Sequence, residues 1–187
     1  MTPSELHAQL CQILDPSRVS VDEEVLKVHS IDKWYASNPP DVVVFAESTE
    51  DVSRTLAFAN EHGIPVTPRG SGVGYVGGAV PVEADIVLSV ARMNRILEIN
   101  PMDGVAVVQP GVITGDLQDR ALEMGWFYPP DPASLRECSL GGNIATNAGG
   151  PKCLKYGVTR NYVMGLEVVL ANGEILRTGS RTHKNKT

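Results

Sequence analysis

Two glycine-rich segments contain the residues of this 187-residue sequence that are best suited to binding chemistry. The first glycine segment, residues 68–78, reads Pro-Arg-Gly-Ser-Gly-Val-Gly-Tyr-Val-Gly-Gly. Residues without Cβ permit positive φ and let several backbone N–H groups point in one direction, which suits phosphate oxygens. The segment therefore predicts a cradle for a pyrophosphate, with Arg69 as the charged side chain placed to help. A tightly turning loop without a ligand is the alternative.

Gly72, Gly74 and Gly77 formally match the dinucleotide fingerprint G-x-G-x-x-G. That fingerprint must open a helix inside a β-α-β unit. Here Pro81 follows, and then a predicted strand at residues 85–90, which leaves no room for the helix. No Gly-Lys-Ser/Thr sequence follows either, so the pattern excludes both a Rossmann site and a Walker loop.

The second glycine segment, residues 140–150, reads Leu-Gly-Gly-Asn-Ile-Ala-Thr-Asn-Ala-Gly-Gly and is predicted to be a loop with an exposed backbone. It follows a rigid proline segment, residues 128–134, with the sequence Tyr-Pro-Pro-Asp-Pro-Ala-Ser. Thr146 and Asn147 add a hydroxyl and an amide that can hydrogen bond a ligand. Two such segments in one small chain predict one long ligand with several polar groups.

Groups for acid–base or nucleophilic catalysis are not evident. The sequence shows no Ser/His/Asp, Cys/His or paired-carboxylate pattern. His7, His29 and His62 fall in predicted helices and His183 falls in a polar tail. The three cysteines lack metal-type spacing, so we expect reduced thiols and no metal site.

Composition narrows the class of protein. With 42% hydrophobic and 20% charged residues, the chain is expected to be globular. A net charge of −6 disfavours non-specific binding to nucleic acid or to an anionic membrane. No apolar run approaches the roughly 18 residues of a membrane span, and the N-terminus lacks the basic start of a secretory signal. These features predict a cytoplasmic protein.

The distribution of glycine suggests where the chain divides. All 18 glycines lie between Gly63 and Gly179. We therefore expect an α+β fold with two lobes, about residues 1–67 and about residues 68–187. The first lobe should contain helices at about 3–14, 22–29 and 49–62, with a β-α-β unit formed by strands 42–46 and 64–67. The second should contain strands at 85–90, 95–99 and 105–109, a helix at 115–124 capped by Thr114, and a type I′ hairpin at Asn172-Gly173.

Taken together, these motifs resemble the FAD-binding domain of the vanillyl-alcohol oxidase and p-cresol methylhydroxylase superfamily. The similarity is greatest to the D subunit of bacterial glycolate oxidase and to FAD-linked D-lactate dehydrogenases. It is carried by Tyr35, the strand at Val42, the two glycine segments, Pro110-Gly111 and Tyr156-Gly157. The resemblance implies a two-lobed fold of the p-cresol methylhydroxylase type, with FAD in the crevice between the lobes.

The resemblance also implies a set of cofactor-binding residues. Backbone amides from Arg69 to Gly74 would surround the FAD pyrophosphate, and Pro130, Asp131 and Ser134 would lie against the flavin. The full set is Arg69, Gly70, Ser71, Gly72, Val73, Gly74, Pro130, Asp131, Ser134, Gly141, Gly142, Thr146, Asn147, Gly149, Tyr156 and Gly157. Val73 stands where relatives with covalent FAD have a histidine, so we expect non-covalent FAD. On the same picture, Gly72→Val should abolish flavin binding and leave the apo fold largely intact.

The implied activity is hydride transfer from a 2-hydroxy acid to FAD. Full-length relatives carry their substrate-site histidines in a cap domain beyond a segment like residues 180–187, so the isolated chain should bind FAD weakly or not at all and be inactive. The expected partners are that cap or another oxidoreductase subunit, such as an iron–sulfur electron acceptor. A partner would also account for peripheral placement at the inner face of the membrane. The alternatives are a flavin-free structural subunit and the FAD domain of another oxidoreductase of this fold.

Overall fold

A computed structural model describes residues 1–83 and 86–182, which form two compact units. The first unit contains Met1–Arg92 and Val169–Leu176, and the second contains Met93–Val168 and the chain from Arg177 onward. The first unit therefore includes the first glycine segment, which the glycine content places in the second lobe.

The first unit is built on a four-stranded sheet flanked by helices. Its strands follow the order β1-β2-β4-β3, with β4 parallel to both neighbours and β1 antiparallel to β2. A single turn of 3-10 helix at Pro16–Arg18 precedes β1. The elements are α1 (Pro3–Ile13), β1 (Val19–Ser20), α2 (Glu23–His29), β2 (Val42–Phe45), α3 (Thr49–His62), β3 (Val66–Arg69) and β4 (Ile86–Ser89).

Strand β4 is the centre of this sheet, although the glycine content groups it with the second lobe. All four of its residues are buried, as are Val42, Val43 and Val44 of β2. Apolar runs of this kind are typical of parallel strands that are covered on both faces. Because β4 lies between β2 and β3, these two strands of the predicted β-α-β unit are not neighbours. Asp85, where the predicted strand begins, is outside the described residues.

Local capping contacts define the ends of α1 and α3 in the first unit. Thr2 and Glu5 form a capping box at the start of α1, and Ser48 and Asp51 form another at the start of α3. Gly63 ends α3 in the left-handed region, with φ 65°. These contacts are local in sequence, so residue types alone were enough to predict them.

The second unit contains an antiparallel pair of strands and several short helices. A core of Val112, Leu117 and Leu140 packs against Ile96, Ile99, Val108 and Tyr128. Strand β5 pairs with β6, and β7 pairs with β8. The elements are β5 (Ile96–Asn100), β6 (Val105–Val108), α4 (Thr114–Glu123), α5 (Leu140–Thr146), α6 (Cys153–Tyr156), a 3-10 helix at Thr159–Tyr162, and the hairpin strands β7 (Gly165–Val169) and β8 (Ile175–Gly179), of which Val169, Ile175 and Leu176 belong to the first unit with the turn.

Two details differ from the sequence predictions in this part of the chain. Thr114 does not cap α4: Ile113 occupies the cap position without a side-chain hydrogen bond. The buried Thr114 hydroxyl instead donates to the carbonyl of Cys138 and accepts from the amide of Asn143. The 172–173 hairpin forms, but its turn is not type I′, because only Gly173 has a positive φ.

The hairpin turn packs on helix α3 within the first unit. The Ser53 hydroxyl donates to the Gly173 carbonyl at 2.5 Å. A Cβ at Gly173 would lie only 2.7 Å from both the Ala57 Cβ and the Ser53 carbonyl oxygen. Glycine is therefore required here both for its φ of 85° and for the close approach of two backbones.

Gly173→Ala is expected to destabilise the first unit more than Gly63→Ala does. Both positions have positive φ, so alanine brings strain of about 1–2 kcal/mol at either one. Only the Gly173 variant adds a collision with α3, because no atom lies within 4 Å of a Cβ at Gly63. Overpacking of this kind typically costs about 1–3 kcal/mol more. Urea unfolding of the two variants measures the difference, and equal losses would show that the turn does not pack on α3.

Candidate cofactor site

The first glycine segment leaves strand β3 with a row of free backbone donors. The amides of residues 70–74 donate to no acceptor within the described residues. Gly70, Ser71, Gly72 and Val73 are half-buried, and Gly74 is exposed. Partly buried N–H groups normally find an acceptor, so this stretch can receive the oxygens of a bound anion.

Arg69, which begins this stretch, lies in the interior and not at the surface beside a ligand. Its guanidinium donates to the carbonyls of Ile31 at 2.6 Å, Ala79 at 3.2 Å and Val28 at 3.3 Å. Burial lowers the pKa of Arg69, while the negative charge of Asp32 acts against this. The guanidinium is thus bonded to protein carbonyls, and the backbone of Arg69 leads directly into the candidate site.

The position of the Arg69 side chain explains why residue 72 is a glycine. With φ 66°, a Cβ there would overlap the Arg69 guanidinium. This contact argues against the expectation that Gly72→Val leaves the apo fold intact, because the added side chain would collide with the buried Arg69 guanidinium even without a ligand.

Asp32, which no sequence motif singles out, lies beside the first glycine segment. It is 8% exposed, and its Oδ1 accepts from the Trp34 amide at 2.6 Å. Its buried Oδ2 has no hydrogen-bond partner within the described residues, and it lies 3.9 Å from where a Cβ of Gly74 would be. The only sequence signal was an acidic residue next to the aromatic pair Trp34-Tyr35.

The second glycine segment is mainly a helix and not a loop. Ser139 caps α5, with its hydroxyl accepting from the Gly142 amide. Gly141 donates to the Pro110 carbonyl, and a Cβ there would lie 2.7 Å from the Pro110 Cβ. The Thr146 hydroxyl donates back to the Gly142 carbonyl. Gly141 therefore serves helix packing, and fewer donors are exposed than the composition predicted.

Asn147 and Gly149 follow this helix. Asn147 ends α5 with φ 50°, and its Oδ1 accepts from the Arg160 amide at 3.0 Å. Its side-chain NH₂ group donates to no acceptor in the described part of the chain. A Cβ on Gly149 would lie 2.7 Å from the Cys153 sulfur, so Gly149 is also closely packed.

The proline segment is held rigidly within the second unit. Pro130 is buried, and its carbonyl accepts from the Gln118 side chain at 2.7 Å. Asp131 packs against Gly150 and pairs with Lys152 at 3.3 Å. The Ser134 hydroxyl makes no hydrogen bond to another described residue. Burial raises the pKa of Tyr128 to about 12, so its phenol stays neutral.

Tyr156 and Gly157 complete the predicted set. The Tyr156 ring meets Phe127 edge-on at 5.6 Å, and its carbonyl accepts from the Tyr162 hydroxyl at 2.6 Å. A Cβ on Gly157 would lie 2.6 Å from the Asn161 Oδ1. The predicted residues 69–74 thus fall in the first unit, and all the others fall in the second.

Other kinds of site find no support in the described residues. Residues 1–83 and 86–182 contain no group of three or more His, Cys, Asp or Glu side chains arranged to hold a metal ion. Across the same ranges, no helix has the length and apolar character needed to cross a membrane.

Comparison with known proteins identifies the family. A family model described as an FAD binding domain matches residues 40–179, which include both glycine segments. The chain belongs to this FAD-binding domain family. FAD as the cofactor is therefore confirmed, and the free amides at 70–74 fit its pyrophosphate.

Curated relatives of this FAD-binding domain are hydroxy-acid enzymes by name. The glycolate oxidase subunit GlcD of Bacillus subtilis (strain 168) is 44% identical over 186 residues, covering 99% of this chain and 40% of that protein. The D-2-hydroxyglutarate dehydrogenase of Stutzerimonas stutzeri (strain A1501) is 39% identical, covering 100% and 40%. The D-lactate dehydrogenase of Anaerostipes hadrus is 41% identical, covering 92% and 36%. The chain spans about two fifths of the length of these relatives.

Solved structures agree with the family. The 4-ethylphenol oxidase from Gulosibacter chungangensis matches with a TM-score of 0.80 and 33% identity, covering 94% of this chain and 34% of that one. p-Cresol methylhydroxylase matches with a TM-score of 0.80 and 26% identity, covering 94% and 35%. The predicted α+β fold of the p-cresol methylhydroxylase type, distinct from a Rossmann fold, is confirmed.

Gly72→Ala and Gly74→Ala should separate the structural role of this segment from its binding role. Gly72→Ala collides with Arg69 at a positive φ, so we expect a loss of roughly 2 kcal/mol or more in the free energy of unfolding. Gly74 has no positive φ and no atom closer than 3.9 Å to an added Cβ, so its variant should stay within about 0.5 kcal/mol of the parental chain. Urea unfolding without flavin tests both, and similar losses would contradict this assignment.

Proposed function

We propose that this chain is the FAD-binding part of an enzyme that oxidises a 2-hydroxy acid of the glycolate or D-lactate type. Hydride would pass from the substrate α-carbon to FAD. The names of the relatives support this substrate class, because glycolate, D-lactate and D-2-hydroxyglutarate are all 2-hydroxy acids.

The observation that carries the proposal is the row of unpartnered amides at residues 70–74. The chain has a net charge of −6, so its overall field does not attract an anionic ligand. Local N–H dipoles must then hold the pyrophosphate, and Arg69 keeps them in place by bonding the carbonyls around the segment.

Residues of the proline segment and of the second glycine segment would contribute polar contacts and a rigid surface. The Asn147 side-chain NH₂ group and the Ser134 hydroxyl have hydrogen-bonding capacity left for a ligand. Pro130, fixed by Gln118, would support one face of the flavin, with Asp131 beside it. Bound FAD supplies the hydride-accepting chemistry, whereas these residues bind and orient it.

The proton of the substrate hydroxyl would go to a base outside this set of residues. Asp131 is paired with Lys152, and the Tyr128 phenol is kept neutral by burial. A phenol that keeps its own proton cannot accept another, and the Asp131 carboxylate is already engaged by Lys152. We therefore infer that the substrate site is provided by a cap domain or by another subunit.

The same reasoning extends to partners and location. The Bacillus subtilis relative is named as a subunit, which supports assembly with another oxidoreductase subunit, such as an iron–sulfur protein that accepts the electrons. The free cysteines Cys11, Cys138 and Cys153 support a reducing compartment, so we propose the cytoplasm, with any contact to the membrane made through a partner.

FAD should bind the isolated chain non-covalently and weakly, and much more tightly than riboflavin, which lacks the phosphates. Gly74→Ala should lower FAD affinity about tenfold, because a methyl group hinders close approach of phosphate to the backbone. Riboflavin affinity should not change in this variant. Calorimetry measures both ligands, and Gly78→Ala is the matched control, since Gly78 also has no positive φ and no atom closer than 3.8 Å to an added Cβ but lies outside residues 70–74.

Equal affinities for FAD and riboflavin in the parental chain would contradict the phosphate-binding role of residues 70–74. The free amides at residues 70–74 narrow the expectation of weak or absent FAD binding to weak but measurable binding. If FAD fails to bind even at high concentration, the proposed function fails and a flavin-free structural role gains support.

The isolated chain, saturated with FAD, should not reduce an artificial dye when given glycolate or D-lactate. The expected absence of turnover follows from the lack of a suitable base near the predicted site. The D-lactate dehydrogenase of Anaerostipes hadrus serves as the positive control for the assay. Dye reduction that depends on both FAD and the hydroxy acid would place the substrate site within residues 1–187.

A further inference from the structure

An exposed aromatic pair lies beside the first glycine segment, and the proposed function does not account for it. The Trp34 side chain is 49% exposed and that of Tyr35 is 94% exposed. Their ring centroids are 5.1 Å apart, with the planes inclined at 58°. Large apolar side chains in water lose the free energy that burial would give them, so a half-exposed indole at a fixed position suggests a ligand-binding surface.

Hydrogen bonds hold Trp34 at the glycine segment. The Lys33 amide donates to the Gly74 carbonyl at 2.9 Å, and the Trp34 amide donates to the buried Asp32 carboxylate at 2.6 Å. The indole Cδ1 lies 3.6 Å from where a Cβ of Gly77 would be. All these residues belong to the first unit, so the indole is tied to the same stretch of backbone that carries the free amides.

The chemistry of FAD supplies a partner for such a surface. Its pyrophosphate is joined through a sugar to adenine on one side and through a sugar alcohol to the isoalloxazine on the other. A pyrophosphate on residues 70–74 therefore brings two planar rings into the neighbourhood. Stacking of a nucleobase on an aromatic side chain is a common and strong contribution to nucleotide binding.

We propose that the exposed face of the Trp34 indole stacks on one of the two rings of FAD. This inference rests on the proposed function, since it needs the pyrophosphate at residues 70–74. Asp32 acts as a positioning residue, because its carboxylate fixes the Trp34 backbone. Tyr35, more exposed and inclined to Trp34, borders the surface.

Calorimetric titration of FAD into the parental chain and three variants tests the proposal. Trp34→Ala should weaken FAD binding about fivefold to a hundredfold, as expected for the loss of one stacked ring. Trp34→Phe should restore most of the affinity, since a phenyl ring can still stack. Trp126→Ala is the matched control, because Trp126 is the other tryptophan and is similarly exposed at 46%. It should bind FAD as the parental chain does.

ADP and FMN identify the ring. If adenine stacks on Trp34, ADP affinity should fall in Trp34→Ala and ADP should quench tryptophan emission in Trp126→Phe, where Trp34 is the only indole. If the isoalloxazine stacks, FMN affinity falls and ADP affinity does not. Either result supports the proposal.

Two outcomes overturn it in distinguishable ways. Unchanged FAD affinity in Trp34→Ala, with FAD bound by the parental chain, overturns the stacking role alone. Failure of FAD, ADP and FMN alike to bind the parental chain overturns both this inference and the proposed function. Urea unfolding of each apo variant shows whether a loss of affinity reflects unfolding, and Trp34→Phe keeps the test open if Trp34→Ala is unstable.

Discussion

The geometry of the first glycine segment depends on one buried guanidinium. Arg69 ends strand β3 and bonds the carbonyls of Val28, Ile31 and Ala79, which come from both sides of the glycine segment in sequence. Removing the guanidinium would leave these three carbonyls without their charged donor, and losing hydrogen bonds to a buried charged group lowers the free energy of unfolding. Because the guanidinium also occupies the space where a Gly72 side chain would lie, it determines both the position of the segment and its composition.

The two glycine segments look alike in composition but work differently. In the first, glycine leaves backbone N–H groups without protein acceptors, so the segment can bind an anion. In the second, Gly141 lets helix α5 approach Pro110, and Gly150 lets the chain pack against Asp131. The absence of Cβ therefore serves ligand access in one place and close packing of the backbone in the other.

Structural features that depend on local contacts could be predicted from the sequence, whereas features that depend on distant residues could not. The capping boxes at Thr2 and Ser48 involve residues three apart, and they were predictable. Helix α5 was missed because its two consecutive glycines have low helix propensity, whereas the Ser139 cap and packing against Pro110 overcome that preference. The burial of Arg69 depends on carbonyls up to 41 residues away, which no local pattern reveals. The family could be predicted because several weak motifs occur together in the right order.

A cradle made of amides suits a chain with a net negative charge. N–H dipoles act at short range and in fixed directions, so they select an anion of the right shape without raising the overall positive potential of the surface. A lysine at the same place would be less selective, because its point charge attracts any anion and its flexible side chain adapts to different anion shapes. Selectivity for a dinucleotide then requires additional contacts outside the phosphates, and Trp34, fixed through Asp32 and Gly74, is held where a ring could provide one. The proposed site thus separates the two tasks within the first unit: backbone amides would hold the pyrophosphate, and the Trp34 indole would stack on a ring attached to it.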